Sequence, residues 1–226
     1  IDLPGENTSA SDEAIARITS YDFYTEHFLP NIKLQDLMAV KKWSRKENII
    51  IYDSKKYDDS QKLWVRKVDY PKQTIPTTQE SYLHYKNILN VSEDKRTSFV
   101  NISITHKSAN IARDWVEIVV NQINEDMRNK DRFKAEKSIE FLKDYAKSTN
   151  IEPLQDAIAN LLEIEMKSLM LTSINDEYVY EVIDNPYIAE KESSPNRILI
   201  LVLVALCSFL SLSTFVLLRH FLFKKG

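Results

Sequence analysis

Residues 108–149 read SANIARDWVEIVVNQINEDMRNKDRFKAEKSIEFLKDYAKST, and this stretch decides the architecture that the sequence predicts. It contains neither proline nor glycine, and apolar residues recur at helical spacing through much of it. Ser108 suits the N-cap position, because its hydroxyl accepts a hydrogen bond from the backbone of the first turn. The stretch therefore predicts a single helix over about 108–149, roughly 60 Å long at the standard helical rise.

The parts of this helix differ in polarity. Over 111–123 the apolar residues form one stripe, which predicts packing against a sheet. Over 124–134 the helix is polar on nearly every side, apart from Met127 and Phe133. Such a stretch is typical of a helix that leaves the globule and is solvated or meets another chain. We therefore expect self-association through the long helix around 124–147.

A return helix and several strands complete the pattern. Pro153 suits a first helical turn, and apolar spacing after it predicts a helix over about 153–173 that forms an antiparallel hairpin with the long one. Thr77 and Glu80 predict a capping box at the start of a shorter helix. Runs rich in β-branched and aromatic residues predict strands at 48–52, 63–70, 98–104 and 178–183. The predicted fold class is α+β.

Composition excludes several classes of function. Gly5 and Gly226 are the only glycines, so the chain lacks the interior glycines that phosphate-binding loops and dinucleotide-binding turns need. The net charge of −3 gives no basic field to attract nucleic acid. Neither nucleotide nor nucleic-acid binding is expected.

No residue pattern indicates catalysis or a cofactor. Cys207 is the only cysteine, and the four histidines are isolated from one another in sequence. His106 and Asp114 bracket the start of the long helix without an accompanying nucleophile motif. Glu136 and Glu140 share a helix face, for which a solvated or inter-subunit surface is the favoured interpretation. We therefore predict no catalytic residues, no metal and no cofactor.

The C-terminal region predicts a transmembrane helix over 198–218. This run carries no charge and is about as long as a hydrocarbon core of roughly 30 Å requires. Arg219, Lys224 and Lys225 follow it, so the positive-inside bias places residues 219–226 in the cytoplasm and residues 1–197 outside. A tail-anchored protein with a cytosolic body is the alternative.

An exported body also requires an earlier signal or first transmembrane helix. Because the chain begins with Ile1, we expect that an upstream apolar span precedes it in the intact gene product. The α+β body would then be a membrane-proximal α/β base with a long protruding helical hairpin, followed by the C-terminal transmembrane helix.

Several short segments resemble the polysaccharide co-polymerases, or chain length determinant (Wzz) proteins. Ala14-Ile-Ala-Arg-Ile18 followed by Ser20-Tyr-Asp-Phe23 is similar to an early family segment, and residues 104–124 are similar to the start of the family's long helix. Residues 161–171 and 177–184 resemble its return helix and final strand. The closing motif is the most specific and consists of Pro186, Ser194, Pro195, Asn196 and Arg197. In this chain Ser108 stands where the family's helix commonly begins with proline.

The resemblance implies a function without catalysis. It implies an inner-membrane protein with a periplasmic body, assembled as a homo-oligomeric, bell-like ring. Such a ring would set the chain length of O-antigen lipopolysaccharide or a related glycan, with the O-antigen polymerase and lipid-linked polysaccharide as partners. Arg132, Lys134 and Lys137 on the hairpin are the candidate oligomer or glycan face.

Two other classes remain open from the sequence. A membrane-anchored extracytoplasmic sensor or adaptor would enclose a concave apolar pocket instead of presenting an arm to sister subunits. An extracytoplasmic hydrolase would require two carboxylates convergent in a cleft.

Overall fold

A computed structural model describes residues 9–174, 177–191 and 197–223 of the chain. The chain divides into two units, Ile1–Ile188 and Ala189–Gly226. The described helices are α1 Ala10–Ile18, α2 Tyr21–Phe23, α3 Leu34–Met38, α4 Thr78–Ile88, α5 Ala109–Ser148, α6 Glu152–Ile174 and α7 Arg197–Phe223. The described strands are β1 Val40–Ser44, β2 Ile49–Tyr52, β3 Tyr57–Asp58, β4 Leu63–Trp64, β5 Leu89–Asp94 and β6 Phe99–Ile104.

Short polar side chains begin the helices of the first unit. Ser9 and Asp12 form a reciprocal capping box at the start of α1. Thr77 Oγ1 accepts from the Glu80 N–H at 3.2 Å, and Ser108 Oγ accepts from the Ile111 N–H at 3.4 Å. The Glu80 carboxylate takes part in a different contact from the predicted one, since Arg66 holds both of its oxygens at 2.5 and 2.6 Å. The sequence pattern thus predicts the cap at Thr77, but it does not predict that Arg66 binds the Glu80 carboxylate.

Aromatic side chains form the centre of the core. After α2 the chain makes a π-helical turn, Tyr24–Phe28, which directs both of its terminal rings inward. The Phe28 ring lies 4.6 Å from that of Tyr85 and 5.6 Å from that of Trp115, centroid to centroid. These three rings come from three separate helical segments, so their contact joins α4 and α5 to the N-terminal region.

Two tyrosines of α4 also satisfy the end of α1. The last carbonyls of a helix lack intrahelical partners, and here the hydroxyl of Tyr85 donates to the Ile18 carbonyl at 3.0 Å. The hydroxyl of Tyr82 donates to the Thr19 carbonyl at 2.7 Å. The two aromatic rings therefore pack in the apolar core, while their hydroxyl groups donate hydrogen bonds to backbone carbonyls.

The described strands form three separate two-stranded antiparallel hairpins: β1–β2, β3–β4 and β5–β6. Each hairpin turn contains a residue with positive φ, namely Asn48 at 53°, Lys62 at 57° and Ser98 at 57°. Glycine normally takes such positions, because it has no Cβ to clash in the left-handed region. The hairpin turns of this chain are thus made by non-glycine residues, at some conformational cost.

The strand prediction for 63–70 is too long. Only Leu63–Trp64 pairs, with β3, and the following residues have no strand assignment. Strands β1 and β5 do not appear in the sequence prediction, because their apolar alternation is interrupted by lysine and acidic residues. The predicted strands at 48–52 and 98–104 correspond to β2 and β6.

Helix α5 has the length that the sequence predicts, and one of its faces enters the core. Its buried residues recur every fourth position at Trp115, Val119, Ile123 and Met127. Farther along, Ala135 and Ile139 are buried where α6 packs against α5. Since only two residues separate Thr149 from the start of α6, the helices form an antiparallel hairpin.

Asn124 joins the long helix to the segment after α6. Its side chain is 3% exposed. The amide oxygen accepts from the N–H of Val179 at 2.8 Å and of Tyr180 at 2.9 Å, and the amide nitrogen donates to the Tyr180 carbonyl at 2.9 Å. One side chain thereby supplies the hydrogen bonds that a neighbouring strand would make, and the predicted strand at 178–183 is wrong: the segment has no strand partner among the described residues.

The prediction of a C-terminal transmembrane helix over 198–218 is also wrong. Within the residues that the structure describes, no helix combines the length and the apolar character needed to cross a membrane. The fold is mixed helix and strand without the predicted span, and the inner-membrane localisation that was inferred from that span, with its periplasmic body and cytoplasmic tail, is not supported.

We expect that Asn124→Ala destabilises the first unit by about 2 kcal/mol, because buried donors on Val179 and Tyr180 lose their acceptor. Urea unfolding should show a lower midpoint, and hydrogen exchange should show faster exchange of the Val179 and Tyr180 amides. Asn129→Ala is the matched control, since Asn129 is exposed on the same helix. Equal midpoints and equal exchange for the two variants would contradict this role of Asn124.

Candidate functional site

The three basic residues that the sequence assigns to an oligomer or glycan face do not share one environment. Arg132 is partly buried, and its guanidinium donates to the Thr172 carbonyl near the end of α6 at 3.3 Å. Lys137 is exposed and pairs with Glu140 of the same helix at 2.9 Å. Lys134 is exposed. Arg132 therefore belongs to the packing of the hairpin, and only the two lysines lie on its outer surface.

The polar middle of α5 finds partners within its own chain, contrary to the expectation that it leaves the globule. Asp126 accepts from the Arg17 guanidinium at 2.9 Å, and Lys130 pairs with Glu13, so α1 lies along this part of α5. On another side Asp131 accepts from the Tyr178 hydroxyl at 2.9 Å. Sequence periodicity cannot reveal these pairs, because their members lie far apart along the chain.

These charges shift the pKa of Glu13. Hydrogen bonds from Lys130 and then from Arg17 lower its pKa from the ordinary value of 4.5, against a smaller opposing effect of burial. All three side chains are about one-third exposed, so solvent screens their attraction. The cluster joins α1 to α5 mainly above the pH at which this carboxylate takes up a proton.

Helix α6 carries an extended exposed apolar surface of the first unit. Ile158 and Thr172 face α5 and are buried, whereas apolar residues on both flanks are between 49% and 67% exposed. We call these flanks the first edge, which consists of Leu161, Ile164 and Leu171, and the second edge, which consists of Met166, Met170 and Ile174. At 3.6 residues per turn the two edges flank the inward face, and on the outer side they approach each other at Leu171 and Ile174, which lie one turn apart.

Exposed rings extend this apolar surface onto the distal half of α5. Phe141 and Tyr145 lie one turn apart, and their rings stack at 6.1 Å between centroids with an interplanar angle of 7°. Phe141 is exposed, as is Ile151 in the connection between the helices. Apolar residues on more than one face of α6 are the sequence signal for this surface, which the prediction of an antiparallel hairpin did not single out.

A polar groove of about 360 Å³ lies beside the first half of α5. Its helical wall consists of Arg113, Glu117, Val120 and Asn121, which share one face at spacings of three and four residues. This face lies on the side of α5 away from the buried stripe that begins at Trp115. The spacing identifies one wall from sequence, but sequence offers no indication of what faces it.

The opposite wall of the groove comes from the segment that Asn124 holds. It consists of Glu177, Val182, Asn185 and Pro186. Among these, Pro186 is one of the residues of the closing family motif. The other motif residues do not join it: Ser194, Pro195 and Asn196 lie outside the described residues, and Arg197 is the first residue of α7.

Two histidines, His84 and His106, have lowered pKa values, and His106 makes hydrogen bonds within the fold. His106 Nδ1 accepts from the Ser108 N–H at 3.0 Å, so Nε2 carries the proton and donates to the Asp36 carbonyl at 2.9 Å. Burial lowers the pKa of His106 and of His84. Asp114, the other residue that brackets the helix start, pairs with Arg113 at 2.5 Å. His106 thus joins α3 to the start of α5 and has no carboxylate partner among the described residues.

No group of three or more His, Cys, Asp or Glu side chains is placed to hold a metal in the described part of the chain. Glu136 is exposed, and Glu140 is engaged by Lys137 on the open surface of α5. Exposed features of the described residues include the two edges of α6 and the groove beside α5.

Comparisons with known proteins add no relative to this description. No protein-family model matches the chain, and a search of curated proteins finds no match.

We expect that Glu13→Gln weakens the stability of the first unit at neutral pH and that this difference from the wild type shrinks as the pH falls below about 4.5. The sign follows because the folded-state pKa is lowered: the contribution is present above the unfolded-state value and is lost as the folded carboxylate becomes protonated. Urea unfolding of both proteins between pH 7 and pH 3 measures it.

Glu136→Gln is the control for this pH series, since Glu136 is exposed and makes no hydrogen bond to another described residue. A Glu13→Gln difference that stays constant down to pH 3 would contradict the ion cluster.

Proposed function

We propose that this protein is a non-catalytic, self-assembling regulator of surface-polysaccharide chain length. The single observation that carries the assembly part is the pair of exposed apolar edges on α6. The resemblance of residues 14–23, 104–124, 161–171 and 177–186 to chain length determinants supports the glycan part. The O-antigen polymerase or its growing glycan is the proposed partner.

Two edges that flank the inward face of one helix favour a particular kind of assembly. If the first edge of one copy packs against the second edge of the next, each copy has two neighbours, and the contact is heterologous. Repetition of such a contact closes a ring when the rotation per subunit permits it. Burial of six large apolar side chains per copy removes an exposed patch that monomeric proteins seldom carry.

Regulation of length follows from such an assembly without a catalytic step. An assembly presents many copies of one surface to a polymer, so a glycan that leaves one copy is still close to others. The glycan then remains near its polymerase for longer, and the length at which it is released changes. A sensor with an enclosed apolar pocket is less well supported, because the groove beside α5 is open and carries polar or charged side chains on both walls.

We expect that Ile164→Lys, on the first edge, and Met170→Lys, on the second, each leave the full-length protein monomeric. A lysine at either position would have to lose its hydration in the contact. Asn87→Lys is the control, since it adds the same charge at an exposed position of another helix, α4, away from both edges. Sedimentation velocity of the wild type and the three variants measures the association state.

A mixture of the two monomeric variants distinguishes the kind of contact. The Ile164→Lys chain keeps its second edge and the Met170→Lys chain keeps its first, so the mixture should form dimers that contain one copy of each. Dimers of either variant alone would indicate an isologous contact instead. A wild type that stays monomeric at high concentration would refute the proposed assembly.

We expect that deletion of the gene changes the length distribution of a surface glycan without abolishing its synthesis. Electrophoretic profiles of the glycan should recover with wild type and with Asn87→Lys, and should not recover with Ile164→Lys or Met170→Lys. A deletion strain that makes no polymer at all, or whose profile equals that of the parent strain, would overturn the proposed function.

A further inference from the structure

We propose that the groove beside α5 binds a short segment of neutral saccharide, with Asn121 and Asn185 as its principal hydrogen-bonding residues. The inference deepens the proposed function, on which its biological meaning rests, by naming a surface that the glycan contacts. It is separate from the α6 edges, which are proposed to contact other copies of the chain.

The groove has the size and side chains of a binding site for a polyhydroxylated ligand. Its volume of about 360 Å³ lies in the range of small-molecule sites, roughly 300–1,000 Å³. Asn121 lies on the helical wall and Asn185 on the opposite wall. A side-chain amide donates and accepts at once, as a sugar hydroxyl does, so the two amides suit hydroxyls from both sides.

The polar groups of the groove are available to a ligand. Among the residues that the structure describes, none forms a hydrogen bond with the side chains of Asn121, Asn185, Glu117 or Glu177. All four side chains are exposed, so they exchange bonds to water for bonds to a ligand without first breaking a protein contact.

The charge of the lining selects against anions. Glu117 contributes a carboxylate from one wall and Glu177 from the other. Arg113 is already engaged by Asp114, whose Oδ1 lies 2.5 Å from Nη2 and 2.9 Å from Nε. A phosphate or a uronic acid would meet like charge here, whereas a neutral sugar accepts or donates hydrogen bonds without that repulsion.

Apolar side chains in the groove fit the C–H faces of a sugar ring. Val120 comes from α5, and Val182 and Pro186 come from the opposite wall. Tyr187, which follows Pro186 in the chain, is 81% exposed and offers an aromatic ring outside the lining. The combination of amides, carboxylates and small apolar surfaces is what distinguishes this lining from a nucleotide or phosphate site.

The position of the groove depends on Asn124. The amide of this residue holds Val179 and Tyr180 against α5, one helical turn beyond Asn121. The chain from there to Pro186 lies along the face that carries Asn121, Glu117 and Arg113. Both walls are thus tied together by buried hydrogen bonds, and the site is preorganised.

Side-chain amide NMR of the full-length protein tests the site. The probes are neutral tetrasaccharides of glucose, mannose and galactose, with tetragalacturonate as the anionic probe and tetralysine as the cationic probe. At least one neutral tetrasaccharide should shift the side-chain amide signals of Asn121 and Asn185, and tetragalacturonate should not. Asn121→Ala and Asn185→Ala should each weaken that binding about tenfold, the effect of losing one hydrogen-bonding group.

The control variant is Asn129→Ala, which removes an exposed asparagine of α5 outside the groove and should leave the affinity unchanged. Sedimentation velocity should show that the Asn121→Ala and Asn185→Ala proteins assemble as the wild type does. The inference is overturned if no neutral tetrasaccharide shifts either amide at tens of millimolar, or if tetralysine is the only probe that does.

The outcomes separate this inference from the proposed function. If the neutral saccharides do not bind but deletion of the gene still changes glycan length, the groove inference fails and the proposed function stands. If a saccharide binds at Asn121 and Asn185 but deletion leaves glycan length unchanged, the groove inference stands and the proposed function fails.

Discussion

The side-chain amide of Asn124 is the contact on which the C-terminal part of the first unit depends. Three hydrogen bonds from one buried group replace a strand partner for Val179 and Tyr180. A backbone segment without such partners would leave polar groups unsatisfied at the surface of the core. Because the same segment continues to Asn185 and Pro186, the amide also determines that a groove exists beside α5.

The faces of helix α5 differ in polarity, and each face contacts a different part of the chain. Trp115, Val119 and Ile123 enter the aromatic core that α2 and α4 share. Asp126 and Lys130 meet the charged side chains of α1. The face that begins at Arg113 forms one wall of the groove. A single long helix therefore contacts the core, the N-terminal region and the candidate binding site.

The distal half of the hairpin, unlike the core around Trp115, leaves many apolar side chains exposed. Among the described residues, α6 packs mainly against α5 in this half. One buried stripe cannot cover the apolar residues on both flanks of α6. Burial of this uncovered surface would be favourable, since hydrophobic stabilisation scales roughly with the apolar area removed from water. The proposed assembly rests on this surface.

The sequence by itself determined the local features. The long helix, its serine cap, the return helix and strand β6 all follow from spacing and capping chemistry within a few residues. Tertiary structure decided the rest: Arg66 instead of the Thr77 backbone holds Glu80, Asn124 instead of a strand holds residues 178–180, and α1 covers the polar middle of α5. These partners lie 14 to 109 residues apart in the chain. Periodicity reports which face of an element is apolar, and it carries no information about which distant group will satisfy a polar one.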